Sequence, residues 1–380
     1  MAGIYLHIPF CKQACYYCDF YFSTSGKNRK EWLSALLDEI ALQEDFFNNS
    51  PVTDKEVRSV YFGGGTPSLL EETELVPVIE ALHRYFNISG EAEVTLEANP
   101  DDIRSDKLQV WKRSGINRLS IGVQSFFDED LRWMNRAHNA SQALQSLVLA
   151  REYGFDNLSA DLIYGAPGLD DSRWQYNVEQ MIRLQVPHLS CYALTVEPHT
   201  ALDHFIRQKK YLPVDPEKSA SQFMQLVGWL EKAGYVHYEI SNFAQPGQHS
   251  RHNSSYWQGA PYLGLGPSAH SFNGQDVRQW NIANNQLYIQ SIRRKIVPFE
   301  QELLTPVMQL NEYIMTSLRT DKGCDLAIVA SRFGELQSQR LKKESLPFLE
   351  SGNMVLENNC LRLTATGKLL ADGIAAKLFA

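Results

Sequence analysis

Cysteine is scarce in this chain, with six residues among 380, and half of them fall within one short segment. Six cysteines in a chain of this length do not indicate a disulfide framework. A chain of this length also buries enough surface to fold without disulfides. Cys11, Cys15 and Cys18 lie within eight residues of each other, whereas the other three cysteines are solitary. We therefore predict that Cys11, Cys15 and Cys18 form a metal site.

Excess positive charge and long apolar runs are also lacking. Lys and Arg number 36 against 44 Asp and Glu, a net charge of −8, which argues against general nucleic-acid or anionic-membrane binding. No apolar run reaches the roughly 18 residues that cross a bilayer. The N-terminus has neither the basic nor the apolar region of a signal peptide. We predict a cytoplasmic protein with no nucleic-acid partner and at most peripheral membrane contact.

Short β-rich runs alternate with helical periodicity through the first 240 residues. This alternation predicts βαβ units and an α/β fold with a parallel sheet, either open or curled into a partial barrel. The predicted strands span 4–8, 59–62, 93–97, 118–122, 157–163 and 188–194. Polar residues collect at the C-terminal ends of these strands, where parallel α/β folds bind their ligands.

Changes in composition divide the chain into three predicted regions. Residues 1–240 form the barrel, and residues 241–300 are an irregular extension, rich in His, Gly and aromatics, that closes the barrel mouth. Residues 301–380 form a mainly helical accessory domain. A helical stripe followed by a hairpin over 354–363, turning at Asn358 and Asn359, indicates a winged-helix-like arrangement. Such a domain often binds DNA, but the net charge favours an accessory cover.

The clustered cysteines have the spacing C-x3-C-x2-C on the loop that follows the first predicted strand. Three thiolates on one loop bind three irons of a [4Fe–4S] cube, and the fourth iron stays open to an exogenous ligand. Ferredoxin runs have a fourth cysteine nearby, and structural zinc motifs usually contain two C-x2-C pairs. The alternatives are a zinc site completed by His7 or three unconnected thiols.

This motif, at the start of a partial-barrel pattern, resembles that of the radical S-adenosylmethionine (SAM) superfamily. The resemblance implies a partial (β/α)6 barrel with a C-terminal, mainly helical, winged-helix-like domain. It also implies that the open iron binds the amino and carboxylate groups of SAM. The reduced cluster then cleaves SAM to a 5′-deoxyadenosyl radical, while the protein orients the reactants and excludes water.

Several polar residues suit the groups of SAM. A glycine run at 63–65 follows the second predicted strand and allows close backbone approach. Glu97 offers an acceptor to ribose hydroxyls, and Arg136 offers a donor to the SAM carboxylate. Gln124 and Asp161 complete the predicted lining. Taken singly, each of these residues is more often a surface or structural polar group.

The resemblance extends to the oxygen-independent coproporphyrinogen III oxidase group and covers essentially the whole chain. It rests on the segments 5–11, 63–68, 97–100, 120–126 and 161–165. It implies that Cys11, Cys15 and Cys18 hold the cluster. It further implies SAM contacts at Tyr5, Tyr17, Gly64, Gly65, Thr66, Glu97, Gln124, Arg136 and Asp161.

Two branches of that group differ near the cluster and in the extension. The oxidase branch carries a longer N-terminal segment and a fourth cysteine two residues past the third, where this chain has Phe20. The run 252–257, His-Asn-Ser-Ser-Tyr-Trp, resembles instead the H-N-x-x-Y-W motif of the haem chaperone branch. His and Tyr are both axial haem ligands, and an aromatic neighbour packs on the macrocycle. The resemblance thus implies a haem site at His252 and Tyr256.

Alternatives to that haem site remain. A histidine beside two aromatic residues is often a packed core residue, and His138 and His270 are predicted to be structural. The leading hypothesis is a haem-binding chaperone that keeps a [4Fe–4S] cluster and a SAM pocket and delivers haem to haem-accepting proteins. The second is a dehydrogenase that converts coproporphyrinogen III to protoporphyrinogen IX by oxidative decarboxylation.

Two further hypotheses remain. The third is a radical SAM enzyme that acts on an unrelated substrate, and the fourth is a zinc-stabilised barrel without cofactor chemistry. For the radical SAM hypotheses, the resemblance implies a flavodoxin- or ferredoxin-type reductant.

Overall fold

A computed structural model describes residues 2–380. The strands are β1 (Ala2–Ile8), β2 (Val57–Gly64), β3 (Ile88–Ala98), β4 (Arg118–Gln124), β5 (Leu158–Tyr164), β6 (His188–Ala193), β7 (Val236–His237), β8 (Asn242–Ala244), β9 (Tyr262–Leu265), β10 (His270–Phe272), β11 (Val277–Asn281), β12 (Phe299–Leu303), β13 (Cys324–Asp325), β14 (Met354–Glu357) and β15 (Cys360–Leu363).

Most other regular elements of the described chain are α-helices. They are α1 (Arg29–Leu42), α2 (Glu72–Tyr85), α3 (Ser105–Arg113), α4 (Asp128–Trp133), α5 (Ala140–Glu152), α6 (Asp171–Arg183), α7 (Ala201–Arg207), α8 (Pro216–Lys232), α9 (Arg251–Trp257), α10 (Asn285–Arg293), α11 (Pro306–Leu318), α12 (Leu326–Phe333), α13 (Glu335–Glu344), α14 (Leu346–Glu350), α15 (Ala365–Lys368) and α16 (Ala371–Leu378). Within residues 2–380, none of them is long and apolar enough to cross a membrane.

The centre of the main sheet consists of β1 to β6, which pair in chain order and run parallel. All six predicted strands, the α/β class and the parallel sheet are confirmed. Helices connect successive strands, as parallel pairing requires. Strand side chains that face the helices are apolar and buried, whereas the opposite face carries Tyr, Glu, Ser and Asp side chains. The concave face of the sheet is therefore unusually polar, which suits a ligand site.

The sheet continues on both sides of this core. Its full order is β12-β11-β10-β9-β1-β2-β3-β4-β5-β6-β8-β7, and β9 pairs parallel with β1. Residues 241–300 therefore do not form the irregular extension that their composition suggested, because β8 to β11 and two helices lie within them. These strands are short and are separated by Gly and Pro, so no alternating pattern marks them in the sequence.

The C-terminal region has its own apolar core, built from residues between Leu310 and Leu378. It is mainly helical, as predicted, and its three strands form a small sheet in the order β13-β15-β14. The predicted hairpin is present, and Asn358 and Asn359 adopt φ values of 49° and 64° at its two-residue turn. Such positive φ values are typical of a type I′ turn. The three region boundaries themselves stay a prediction.

A buried carboxylate connects the additional strands to the helices of the barrel. Glu39 of α1 accepts hydrogen bonds from Gly266 N at 2.7 Å, Asn281 Nδ2 at 2.6 Å and Tyr288 Oη at 2.6 Å. Burial raises the pKa of Glu39 to about 6. Because its partners lie in a turn, in β11 and in α10, this one side chain fixes the turn that leads into β10.

Candidate functional site

The clustered cysteines lie on the loop between β1 and α1, beyond the C-terminal end of β1. Backbone hydrogen bonds hold this loop on both sides. Cys11 N donates to Ser23 O at 3.1 Å, and Tyr16 N donates to Met134 O at 3.2 Å. All six cysteines of the chain are free thiols. The loop therefore presents three thiols that form no disulfide, from an anchored backbone.

Donor groups surround two of the three sulfurs. Arg136 Nη1 lies 3.3 Å from Cys15 Sγ, and Thr66 Oγ1 donates to Cys11 Sγ at 3.4 Å. Burial raises the pKa of Cys11 and raises that of Cys18 to about 12, so the thiolates need positive partners. A guanidinium and a hydroxyl meet this need, and hydrogen bonds to sulfur also tune iron–sulfur clusters. The donor set thus fits a cluster with three protein ligands.

His7 does not join the thiols. Its Nε2 lies 2.8 Å from Tyr21 O, and its Nδ1 lies 3.3 Å from Tyr5 Oη. Both ring nitrogens are therefore engaged away from the cysteine loop, and the zinc alternative loses its proposed fourth ligand. In the part of the chain that the structure describes, no three His, Cys, Asp or Glu side chains surround a single ion position.

Arg136 contacts most of the polar groups beside the cysteine loop. Its Nη2 donates to Asn99 Oδ1 at 2.6 Å and to Gly122 O at 2.9 Å, and its Nη1 lies 3.5 Å from Tyr17 Oη. Two buried atoms here, Arg136 Nε and Gln124 Oε1, have no hydrogen-bond partner within residues 2–380. Buried polar atoms are rarely left unpaired. A polar ligand next to the cysteine loop would satisfy both.

Two carboxyl groups lie deeper on the concave face. Tyr61 Oη donates to Glu97 Oε1 at 2.7 Å, and Ser120 Oγ donates to Asp161 Oδ1 at 3.5 Å. Burial raises the pKa of Glu97 to about 7, with a smaller contribution from the charge of Asp161, and burial raises the pKa of Asp161 to about 6. Close to neutral pH both carboxyl groups therefore exchange protons, and in their ionised forms they accept hydrogen bonds and attract a cation.

We expect Glu97→Gln to remove a pH dependence of stability. The folded-state pKa of about 7 lies above the usual 4.5, so the folded chain holds the proton more tightly and wild type loses stability as pH rises from about 4.5 to 7. Glutamine stays neutral and still accepts the Tyr61 hydroxyl. Relative to wild type, the variant should gain about 2 kcal/mol at pH 8 and little at pH 5, measured by urea unfolding. Equal pH profiles for the two proteins would contradict this, and the exposed Glu80→Gln is the matched control.

Other atoms of the chain occupy the space that side chains would need at the glycine run at the end of β2. A Cβ at Gly63 would lie 2.8 Å from the Tyr5 ring, and one at Gly65 would lie 2.7 Å from Phe10 O. Gly64 has a φ of 101°, which favours glycine. These positions let β1 and the cysteine loop pack directly against β2. SAM contacts at Gly64 and Gly65 stay a prediction.

Most residues expected around SAM converge in the structure. Thr66, Tyr17, Gln124 and Arg136 lie beside the cysteine loop, and Tyr5, Glu97 and Asp161 lie below them on the concave face. Asn99 was not among the predicted site residues, but its Nδ2 donates to Thr66 Oγ1 at 3.4 Å and its Oδ1 accepts a hydrogen bond from Arg136. Its position between the end of β3 and Pro100 was an available signal.

The histidine of the His-Asn-Ser-Ser-Tyr-Trp run is buried, with 1% of its surface exposed. His252 Nδ1 lies 2.8 Å from Ser59 Oγ, and its Nε2 lies 2.8 Å from Tyr256 Oη. Its ring stacks on Tyr61 at 4.9 Å. Burial, aided by the charge of Arg118, lowers the pKa of His252 to about 3. The ring is therefore neutral, and both nitrogens are occupied by this chain's own hydroxyl groups.

A buried ion pair explains where this run lies. Glu93 Oε1 accepts the backbone N–H groups of Arg251 at 3.0 Å and His252 at 3.1 Å, where α9 begins. Arg118 Nε is 3.9 Å from the other oxygen of Glu93. Because Ser59 is near the start of β2, α9 covers the N-terminal end of the strands. The extension was expected to close the mouth, but its histidine lies at the end opposite the cysteine loop.

A large cavity of about 1280 Å³ lies between the barrel, the additional strands and the C-terminal region. That volume exceeds what ordinary small-molecule sites need. Its lining includes Tyr5, His7, Tyr256, Trp257, His270 and Arg278. Glu97, Gln124, Arg136 and Asp161 do not line it. The cavity thus adjoins the polar site through Tyr5 and His7 and is otherwise distinct from it.

Comparisons with known proteins agree with this architecture. Residues 5–180 match the Radical SAM superfamily, and residues 304–370 match the HemN C-terminal domain. The chain is 33% identical over 380 residues to the heme chaperone HemW of Bacillus subtilis (strain 168), covering 98% of each chain. It is 31% identical over 405 residues to the mitochondrial radical S-adenosyl methionine domain-containing protein 1 of Bos taurus, covering 99% of this chain and 87% of that one.

Among solved structures, the coproporphyrinogen III oxidase HemN of Escherichia coli superposes with a TM-score of 0.84. That match covers 100% of this chain and 90% of the other, at 24% identity, and it supports the fold. The full-length matches to HemW extend the likeness from fold to family. The chain belongs to the radical SAM superfamily, in its HemN-like group and close to the HemW proteins.

Proposed function

We propose that this chain is a haem-binding chaperone of the HemW type that carries a [4Fe–4S] cluster, binds SAM and delivers haem to haem-accepting proteins. The observation that carries the proposal is the pairing of two sites in one molecule. A three-thiol loop with its cationic partner lies next to a cavity of about 1280 Å³ that is rich in aromatic and basic side chains.

The cluster and SAM parts of the proposal rest on the concave face. Cys11, Cys15 and Cys18 would hold three irons. The unpaired Arg136 Nε and Gln124 Oε1 offer a donor and an acceptor to a polar ligand beside them. When bound, the cluster and SAM supply one-electron reductive chemistry. The remaining proposed SAM contacts are Tyr5, Tyr17, Gly64, Gly65, Thr66, Glu97 and Asp161.

The haem part of the proposal rests on the cavity. Tyr256 and Trp257 line it, and an aromatic wall suits the flat apolar macrocycle. Arg319 of the C-terminal region lies 5.6 Å from the Trp257 ring centre, which joins that region to the cavity wall. His252 does not line the cavity, and its Nε2 contacts the Tyr256 hydroxyl within the protein rather than a ligand.

The proposal also names partners and a compartment. A flavodoxin- or ferredoxin-type protein would reduce the cluster, and haem-accepting proteins would receive the cargo. The thiols of the cysteine loop need a reducing environment, so we place the protein in the cytoplasm. Nucleic acid is not among the proposed partners, because the net charge is −8.

The deciding experiment compares haem transfer with porphyrinogen turnover. The reconstituted protein is incubated anaerobically with SAM, dithionite and coproporphyrinogen III, and products are separated by chromatography with mass detection. In parallel, haem-loaded protein is mixed with an apo-haemoprotein, and transfer is followed by absorbance. We expect stoichiometric haem binding, transfer to the acceptor and no protoporphyrinogen.

Protoporphyrinogen formed in step with 5′-deoxyadenosine would overturn the proposal and assign the oxidative decarboxylation instead. Failure to bind haem would overturn it too. A useful control is Trp257→Phe, which keeps an aromatic ring at the cavity wall and should retain haem binding.

A further inference from the structure

One imidazole in the cavity is available for a ligand. His270, the first residue of β10, is exposed and lines the cavity. Within residues 2–380 its side chain makes no hydrogen bond, and its ring lies against Trp280 with centroids 6.0 Å apart. From the sequence, His270 is predicted to have a structural role. The structure shows instead a histidine whose nitrogens are unoccupied.

The other histidines near the cavity differ from it. Both nitrogens of His7 are engaged by Tyr5 and Tyr21, and His252 lies outside the lining with both nitrogens engaged. His249 lines the cavity, but its ring is stacked on Tyr238 at 4.2 Å and is less exposed. A metal needs the lone pair of a neutral imidazole nitrogen. Among the histidines that line the cavity, His270 is therefore the most exposed.

Electrostatics favours the neutral form at this position. Although the side chain is exposed, its partial desolvation by the cavity walls and the nearby charge of Arg278 lower the pKa of His270. Arg278 is itself paired with Glu312, so it is not the free cation of the cavity. A lowered pKa favours the uncharged ring, whose nitrogen lone pair can bind a metal.

Two free cations line the same cavity. Lys322 and Arg332 are exposed lining residues, and neither makes an ion pair in the described part of the chain. The Arg332 guanidinium lies over the Phe333 ring at 5.0 Å, a contact that leaves its charge unneutralised. Carboxylate groups of a ligand are their natural partners.

The backbone that carries His270 is held firmly. Gly266 N donates to Glu39, and Asn281 N donates to Ala269 O at 2.8 Å, directly before β10. Gly264 lies so close that a Cβ there would be 2.1 Å from His270 O. A ligand on a rigid backbone is placed reproducibly, as an axial metal ligand must be.

We propose that His270 is the axial ligand of the haem iron in this cavity, with Lys322 and Arg332 contacting the propionates. This inference rests on the haem binding proposed above and assigns the ligand to a residue other than His252. Haem combines an iron that accepts imidazole, a flat apolar ring and two carboxylates, and the cavity offers a partner for each.

The test is a titration with ferric haem, followed by the position of the Soret band, in wild type and single variants. His270→Ala should weaken haem affinity at least tenfold and shift the band. His270→Gly should regain the wild-type band when imidazole is added. His252→Ala should keep the wild-type band, and Lys322→Ala with Arg332→Ala should weaken affinity severalfold without moving it.

Thermal unfolding checks that each variant is folded, and the exposed His83→Ala on α2 is the matched control. An unchanged band and affinity in His270→Ala would overturn the ligand assignment while leaving haem binding intact. Loss of the band in His252→Ala or His249→Ala alone would overturn it as well. Absence of haem binding in wild type would overturn both this inference and the proposed function.

Discussion

Cys15→Ser is expected to leave the protein without an iron–sulfur cluster after anaerobic reconstitution. Cys15 supplies one of the three thiols of the loop, and it is the one that lies 3.3 Å from Arg136 Nη1. Two remaining thiols cannot hold a cube that has one open iron already. Bound iron should fall from about four atoms per chain to nearly none, together with the visible absorption and the signal of the reduced cluster.

The matched control for that result is Cys360→Ser. Cys360 is a free, half-buried thiol on β15, remote in the chain from the cysteine loop. It should retain full iron content, which separates loss of a cluster ligand from general thiol chemistry. A normal [4Fe–4S] spectrum in Cys15→Ser would exclude the three-thiol loop as the cluster site.

Glu39→Ala should lower the free energy of unfolding by about 3 to 5 kcal/mol. Glu39 is fully buried and is the acceptor for Gly266 N, Asn281 Nδ2 and Tyr288 Oη. Alanine would leave these three donors without their acceptor, and a cavity would replace the carboxylate. Urea unfolding followed by circular dichroism measures the change. Because Gly266 precedes β10, the variant should also bind haem more weakly.

Two variants on the same helix define the contribution of the carboxylate. Glu39→Gln keeps one acceptor oxygen and removes the cost of burying a charge, so we expect it to lose less than half as much stability. Asp38→Ala removes only an exposed contact with Lys295 and should cost less than about 1 kcal/mol. If Glu39→Ala cost no more than Asp38→Ala, the buried hydrogen bonds would have no stabilising role.

The predictions from sequence succeeded where the signal is short-range. Apolar runs bounded by Gly and Pro placed all six core strands, and the paired Asn358 and Asn359 placed the hairpin turn. The three cysteines lie on one loop because eight residues of chain contain them all. Each of these features depends on neighbours in the chain, so residue type and spacing were sufficient.

The predictions failed where partners come from distant segments. β9, one of the strands within 241–300, pairs with the edge of β1. No local sequence pattern predicts this pairing. The polar groups around Arg136 were only partly foreseen, because Asn99 acts through its contacts to Thr66 and Arg136. Periodicity reports which face of a segment is apolar, but not which edge or donor it will meet.

The two histidines of the extension show this division most clearly. The run 252–257 resembles a family motif and predicted a haem site at His252. The structure shows instead that the partner of His252 Nδ1 is Ser59, 193 residues away in the chain. His270 carries no such run and emerges with both nitrogens unoccupied beside a large cavity. Local spacing was enough to identify the cysteine loop and the parallel barrel. Only tertiary packing decided which imidazole is engaged, because hydrogen-bond partners and cavity walls are assembled from residues far apart in the chain.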